Sequence, residues 1–263
     1  MAATVTSWSE VVWWRVAAAL VVSLALQIGV NYANDYSDGI RGTDDVRVGP
    51  LRLVASGRAS ASAVRSAALL ALGCAAVVGV ILAVTTSLWL LAVGAAALLA
   101  AWGYTGGPRP YGYLGLGEIF VFVFFGLVAT AGTTYVAVGV MPWEVWVAGA
   151  GVGALACALL VVNNLRDIPT DAGVGKMTLA VRLGDTATRR FYVGLIAVAF
   201  GAVILVGVPL ALITLGAVGV ALDPVRRVLG GASGRDLIAV LGSTGRLQLA
   251  YGLLLTVGLG IAA

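Results

Sequence analysis

Eight apolar runs of near-membrane length, each bounded by a polar cluster, limit what this chain can fold into: residues 12–33, 62–85, 87–104, 114–138, 143–165, 189–206, 208–222 and 245–262. A helix needs about 20 apolar residues to cross a hydrocarbon core of about 30 Å. The runs therefore predict an all-α, polytopic transmembrane helix bundle of about eight spans, organised as a single domain over residues 1–263. Composition agrees, with 60% hydrophobic and 11% charged residues and a mean hydropathy of +1.02, against about 25% charged residues in soluble domains. A chain of this length holds about eight or nine crossings and leaves no room for a separate soluble domain.

The connections alternate in character. Thr85–Ser87, Gly139–Pro142 and Gly207–Pro209 are short and carry no basic residue. Residues 34–61, 105–113, 166–188 and 223–244 are longer and polar, and as the first, third, fifth and seventh connections they lie on one face. Every Arg or Lys except Arg15 falls in these connections or at their margins. By the positive-inside rule that face is cytoplasmic. Trp13, Trp14, Trp143 and Trp146 lie near span ends on the other face, where interfacial aromatics belong. Residues 223–246 combine Arg226, Arg227, Arg235 and Asp236 with apolar Leu237, Ile238, Val240 and Leu241, a pattern that predicts a short interfacial helix. The N-terminal MAATVTSWSE lacks the basic segment of a signal peptide, so no cleavage is expected.

Histidine is absent, which excludes imidazole bases, Ser-His-Asp triads and His-ligated metals. Cys74 and Cys157 sit inside apolar runs and read as small core residues rather than a disulfide or metal pair. Chemistry is left to Asp, Asn, Arg, Tyr and the backbone.

Two acidic clusters stand out. If the first span stays helical to about Asp38, then Asn31, Asn34, Asp35 and Asp38 share one side at i, i+3, i+4 and i+7 spacing. Asp44 and Asp45 follow, either as an extension of the cluster or as an ordinary solvated loop. In the fifth connection Asn163, Asp167 and Asp171 are again four apart, although Pro169 strains a helix there and would place Asp171 in the loop. An Asp at bilayer depth costs about 2.5 to 3.5 kcal/mol, and clustered carboxylates repel one another besides. The clusters therefore call for a cation. Hard oxygen donors without sulfur or imidazole favour Mg²⁺, with Ca²⁺ or Mn²⁺ as alternatives. The chain reads as a loose duplication in which each half contributes one acidic rim to a cavity holding two metal ions and an anion such as a diphosphate.

The third connection, Tyr104-Thr-Gly-Gly-Pro-Arg109-Pro-Tyr111-Gly-Tyr113, offers the backbone N–H groups of Gly106 and Gly107 and the Arg109 fork to phosphate oxygens. Aromatics nearby, Trp102, Tyr104, Tyr111, Tyr113, Phe120, Phe122, Phe124 and Phe125, either shield a carbocation or simply pack. Glu118 is the remaining charge at the start of a span, a partner for Arg109 or for a substrate hydroxyl.

NYANDYSDGIRGTDD followed by RVGPLRLVASG, and NNLRDIPTDAGVGKMTLAVRLG, resemble the two Asp-rich signatures of the UbiA-type intramembrane prenyltransferases. The wording NYANDYSDG, the RxGPxRLV continuation and YTGGPRPYGY resemble one branch, the 1,4-dihydroxy-2-naphthoate polyprenyltransferases of menaquinone synthesis. The likeness covers nearly the whole chain. It implies a Mg²⁺-dependent transfer from polyprenyl diphosphate to 1,4-dihydroxy-2-naphthoate in the bacterial inner membrane, with loss of the ring carboxylate. It also implies that Asn34, Asp38, Asp167 and Asp171 hold the metal with Asp35 assisting, and that Asn31, Arg41, Tyr104, Arg109, Asn164 and Lys176 bind the diphosphate. No nucleic-acid partner is expected; the lipid bilayer is. The family normally has a further N-terminal helix, making nine spans, whereas here the acidic motif ends the first. Two other readings compete: a UbiA-type enzyme for another acceptor, such as 4-hydroxybenzoate or homogentisate, and a cation-coupled transporter. A transporter site would lie near mid-bilayer, while both clusters here lie at span ends.

Overall fold

The computed structural model describes residues 8–43, 49 and 51–262. Asp44, Asp45 and Arg47 lie outside the described residues. Among the described residues there are helices and no strands. Eight helices carry the chain: α1 (Trp13–Ile40), α2 (Ala61–Thr86), α3 (Leu90–Gly103), α4 (Gly117–Val138), α5 (Trp143–Gly173), α6 (Leu179–Leu205), α7 (Pro209–Leu229) and α8 (Asp236–Ile261). They answer one for one to the eight apolar runs. Seven are long and apolar enough to cross a membrane, and this is an integral membrane protein. The eighth, α3, has 14 residues and rises only about 21 Å, short of the hydrocarbon thickness.

Side-chain exposure is inverted, as lipid requires. Leu70, Leu99 and Ile261 are more than two-thirds exposed, while the buried positions are crowded with Ala. Cys157 is buried as expected, but Cys74 is exposed on the apolar flank of α2. A small apolar side chain is as well placed against lipid as in a core, so hydropathy alone did not separate the two.

The helices group into two compact units. The first comprises Trp13–Gly117 and Pro169–Thr178. Here α1 and α2 pack antiparallel: the missing Cβ of Gly29 leaves room for Leu72, and Arg15 at the start of α1 donates to the Thr85 carbonyl near the end of α2. A cation beside a helix C-terminus is favourably placed, which accounts for the one basic residue outside the polar connections. The polar segments 34–43, 51–61, 105–113 and 169–178 meet at the opposite end of this unit.

The second unit comprises Glu118–Ile168, Leu179–Ala263 and the stretch ending at Val12. Its core runs along α5, α6 and α8 through Leu155, Val161, Tyr192, Leu247 and Tyr251. Phe122–Val128 within α4 is π-helical. There Gly126 lies so close to α5 that an added Cβ would stand 2.5 Å from the Gly153 Cα. The sequence predicts an unbroken α-helical span here; the wider π turn is a difference found only in the structure.

Two further expectations are corrected. The α5 helix does not stop at Pro169 but continues to Gly173, so Asp171 is helical. Proline there removes one N–H partner, that of the Leu165 carbonyl, close enough to the helix end to be tolerated. Residues 223–246 form no separate interfacial helix: they finish α7 and begin α8, joined by a turn at residues 230–235. The α6 backbone leaves helical geometry at Gly184 (φ 75°, ψ 171°).

Candidate active site

The polar end of the first unit is organised by the pitch of α1. At about 100° per residue, Asp35 lies about 60° from Asp38 and Gly39 follows Asp35 one turn on, so the end of α1 carries two rows. Asp35 and Gly39 form one row, Asn34 and Asp38 form the other, and Asn31 stands one turn earlier between them.

The first row holds a loop. Asp35 accepts backbone N–H bonds from Leu53 (2.9 Å) and Val54 (3.0 Å), one on each carboxylate oxygen. A Cβ at Gly39 would lie 2.6 Å from the Val54 side chain, so only glycine lets this loop seat one turn further on. Asn31 is exposed and donates to its own helix at Gln27 (2.8 Å). Asp35 and Asn31 therefore bond to the 51–59 loop and to the α1 backbone, rather than to the other carboxylates that the sequence grouped with them.

The second row forms the site. Asn34 Oδ1 accepts from Thr105 (2.8 Å). Asp38 is buried; its Oδ1 accepts from the Tyr113 hydroxyl (2.9 Å) and its Oδ2 lies 3.7 Å from Lys176 Nζ. That ammonium also lies 3.6 Å from Asp171 Oδ1. The two acidic motifs, 133 positions apart in the sequence (171 − 38), thus meet through one lysine. Backbone bonds from Lys176 to the Asp171 carbonyl (2.8 Å) and from Met177 to the Tyr113 carbonyl (3.2 Å) shape the turn that brings the lysine there.

The third connection completes this end. Arg41 donates to the carbonyls of Thr105 and Gly107, the latter at 2.6 Å. Tyr104 packs against Tyr111 at 5.5 Å between ring centroids, and the Tyr111 hydroxyl donates to the Ala100 carbonyl (2.7 Å). Arg109 is exposed on the same loop. Burial pushes the Tyr113 phenol above its ordinary pKa, the Asp38 carboxylate adds to the rise, and Thr43 and Lys176 oppose it. Tyr113 is the site residue that sequence reasoning missed as a polar partner. It appeared only among the aromatics, although its place in the Gly/Pro-rich connection with Arg109 was a usable signal.

The second unit carries its own polar cluster on α4 and α5. Asn164 Nδ2 donates to Glu118 Oε1 (3.0 Å), and the Cys157 thiol donates to the Glu118 carbonyl (3.1 Å). Glu118 is buried, and its Oε2 has no hydrogen-bond partner. The Arg166 guanidinium grips both oxygens of Asp167 at 2.7 Å and also Asn163 at 2.8 Å. Arg166 therefore holds Asp167 in place through a bidentate fork.

The Asn34, Asp38 and Asp171 donors are all oxygens, which suits a hard divalent cation. Lys176 between two carboxylates marks a place that accepts positive charge. Among the described residues no group of three or more acidic or Cys side chains forms a ready cage.

The UbiA prenyltransferase family model matches residues 1–230. The chain is 51% identical over 244 residues to the 1,4-dihydroxy-2-naphthoate octaprenyltransferase of Mycobacterium tuberculosis, covering 92% of this chain and 84% of that protein. It is 48% identical over 254 residues to the protein of the same name from Mycobacterium leprae, covering 95% and 86%. Against the Escherichia coli protein of that name identity is 36% over 194 residues, covering 68% and 63%. A match over most of the chain, joined to eight helices and two acidic motifs converging on Lys176, leads to one conclusion: this chain belongs to the UbiA prenyltransferase family.

Proposed function

We propose that this protein transfers a polyprenyl chain from polyprenyl diphosphate to 1,4-dihydroxy-2-naphthoate, releasing diphosphate and carbon dioxide and giving demethylmenaquinol, the hydroquinone form of demethylmenaquinone. It does so as a single catalytic domain in the bacterial inner membrane, with its polar site on the cytoplasmic face. The supporting observation is the 51% identity to a relative named for that acceptor, over 92% of the chain.

Prenyltransferases of this family are generally divalent-metal dependent. Asn34, Asp38 and Asp171 would hold Mg²⁺, which when bound neutralises the diphosphate and stabilises charge on the departing oxygen. Asp167, four residues before Asp171 on α5, is proposed for the same duty, held in place by Arg166. Lys176 lies where its ammonium can turn from the carboxylates to the anion. Arg109 supplies an exposed planar fork suited to phosphate oxygens. Arg41 binds the Thr105 and Gly107 carbonyls and so holds the loop that presents Arg109. Tyr104 braces the same loop from within. Asn164 acts from its bond to Glu118. In the transfer a naphthoate ring carbon bonds to the allylic carbon, the allylic C–O bond breaks with its electron pair leaving on diphosphate, and the ring–carboxylate bond breaks with its electron pair returning to the ring as carbon dioxide leaves.

The test is product formation by purified protein given polyprenyl diphosphate and, in turn, 1,4-dihydroxy-2-naphthoate, 4-hydroxybenzoate and homogentisate. Prenylated naphthoate is expected, lost on chelation and reduced about a hundredfold in Asp38→Asn, the scale set by removing one preorganised electrostatic group. Preferential turnover of another acceptor would overturn the assignment of substrate. Product formation indifferent to chelation would overturn the role of the metal.

A further inference from the structure

Tyr113 makes more connections at the polar end of the first unit than any charged residue there needs for folding alone. Its hydroxyl donates to Asp38 Oδ1 (2.9 Å) and lies 3.0 Å from Thr43 Oγ1. Because the phenol's one proton points to Asp38, Thr43 is the donor in the second bond. The ring has a cation on it twice: Arg41 at 5.4 Å and Lys176 at 5.3 Å from the centroid. The Tyr113 carbonyl accepts from the Met177 N–H (3.2 Å). One residue thus touches the end of α1 and the 171–178 turn through hydroxyl, ring and backbone together.

The consequences for the site are specific. With Asp38 Oδ1 taken by the phenol, the carboxylate cannot rotate freely, and Oδ2 is the oxygen presented toward Lys176. A charge-assisted O–H···O⁻ bond is among the stronger neutral-to-ion contacts. The ring quadrupole attracts both cations while leaving their N–H groups for oxygen acceptors. A tyrosine placed only for packing would need none of this arrangement.

We propose that Tyr113 is the positioning residue of the diphosphate site, its hydroxyl aiming Asp38 Oδ2 at the divalent cation, and its ring holding Lys176 toward the anion and Arg41 against the loop that presents Arg109. This rests on the reading of Asp38, Asp171 and Lys176 as that site. The hydroxyl governs the metal-dependent part of anion binding, and the ring governs the metal-independent part.

Calorimetric titration of the purified full chain with inorganic diphosphate, with and without Mg²⁺, separates the two. Tyr113→Phe keeps the ring and is expected to weaken Mg²⁺-dependent binding about tenfold, at the scale of one hydrogen bond to a charged group, while leaving Mg²⁺-free binding within about twofold. Tyr113→Leu is expected to weaken the Mg²⁺-free binding as well, by about fivefold. In Asp38→Asn the further change Tyr113→Phe should cost little, because the hydroxyl acts through the carboxylate it no longer aims. Thermal melting of each variant checks that it is folded. Wild-type affinity in a folded Tyr113→Phe, or losses that simply add in the double variant, would overturn the role of Tyr113 while leaving the site intact. Absence of Mg²⁺-dependent binding in the wild type would overturn both.

Discussion

Replacing Asp35 by asparagine separates two roles that the motif alone merges. In the structure both Asp35 oxygens receive backbone N–H bonds, from Leu53 and Val54. Hydrogen bonds to a charged group contribute about 1.5 to 3 kcal/mol each. Asparagine keeps one acceptor oxygen and sets an NH₂ group against the other N–H, so the loss is about 2 to 3 kcal/mol. Alanine removes both bonds and leaves two partly buried donors without a carboxylate, a loss of about 3 to 5 kcal/mol. The expected signature is a lowered thermal midpoint in detergent, with earlier proteolysis in the 51–59 loop, and an unchanged Mg²⁺ concentration for half-maximal activity in the folded fraction. Asp38→Asn should do the reverse, with a small shift in melting and a large shift in Mg²⁺ requirement. An Asp35→Asn protein as stable as wild type but with a raised Mg²⁺ requirement would refute the division of α1 into a loop-holding row and a site row.

Arg166 and Asp167 form a buried pair, so Arg166→Leu should destabilise the protein by about 3 to 5 kcal/mol, and the double change Arg166→Leu with Asp167→Leu should recover much of that in the same melting assay. Gly126→Ala would drive a methyl to 2.5 Å from Gly153 and should cost about 1 to 3 kcal/mol, whereas Gly132→Ala, which meets open space, should be neutral or slightly stabilising. The Tyr113 phenol is held above its ordinary value, first by burial and then by the Asp38 carboxylate. Its contribution to stability is therefore complete below about pH 10 and is lost only as pH rises through the higher folded value. An ultraviolet titration of wild type minus Tyr113→Phe should accordingly show one tyrosine ionising above pH 10.

The helices were legible in the sequence because an apolar run of membrane length has few other fates. Helix ends were less so. The α8 helix begins at Asp236 rather than near 245, since Leu237 and Val240 join the core while polar neighbours lower the local hydropathy. The carboxylates of the candidate site were found by residue type and spacing. Their partners were not: a 60° offset on α1 separates Asp35 from Asp38, and spacing read as one face does not resolve it. Arg166 and Asp167 are adjacent, and adjacent helical positions ordinarily diverge; only the long guanidinium arm closes that pair. Tyr113 pairs with Asp38 across 75 positions, a contact that no local pattern encodes.

Asp38, Asp171 and Lys176 are proposed to mark where a prenyl donor passes its chain to a naphthoate ring and releases diphosphate. The most direct test is a parallel count of diphosphate released and prenylated product formed by purified protein with Mg²⁺. One diphosphate per product is expected, both dependent on the naphthoate and both suppressed together in Asp38→Asn and Asp171→Asn. Product formed without matching diphosphate, or formed equally well by either variant, would contradict it.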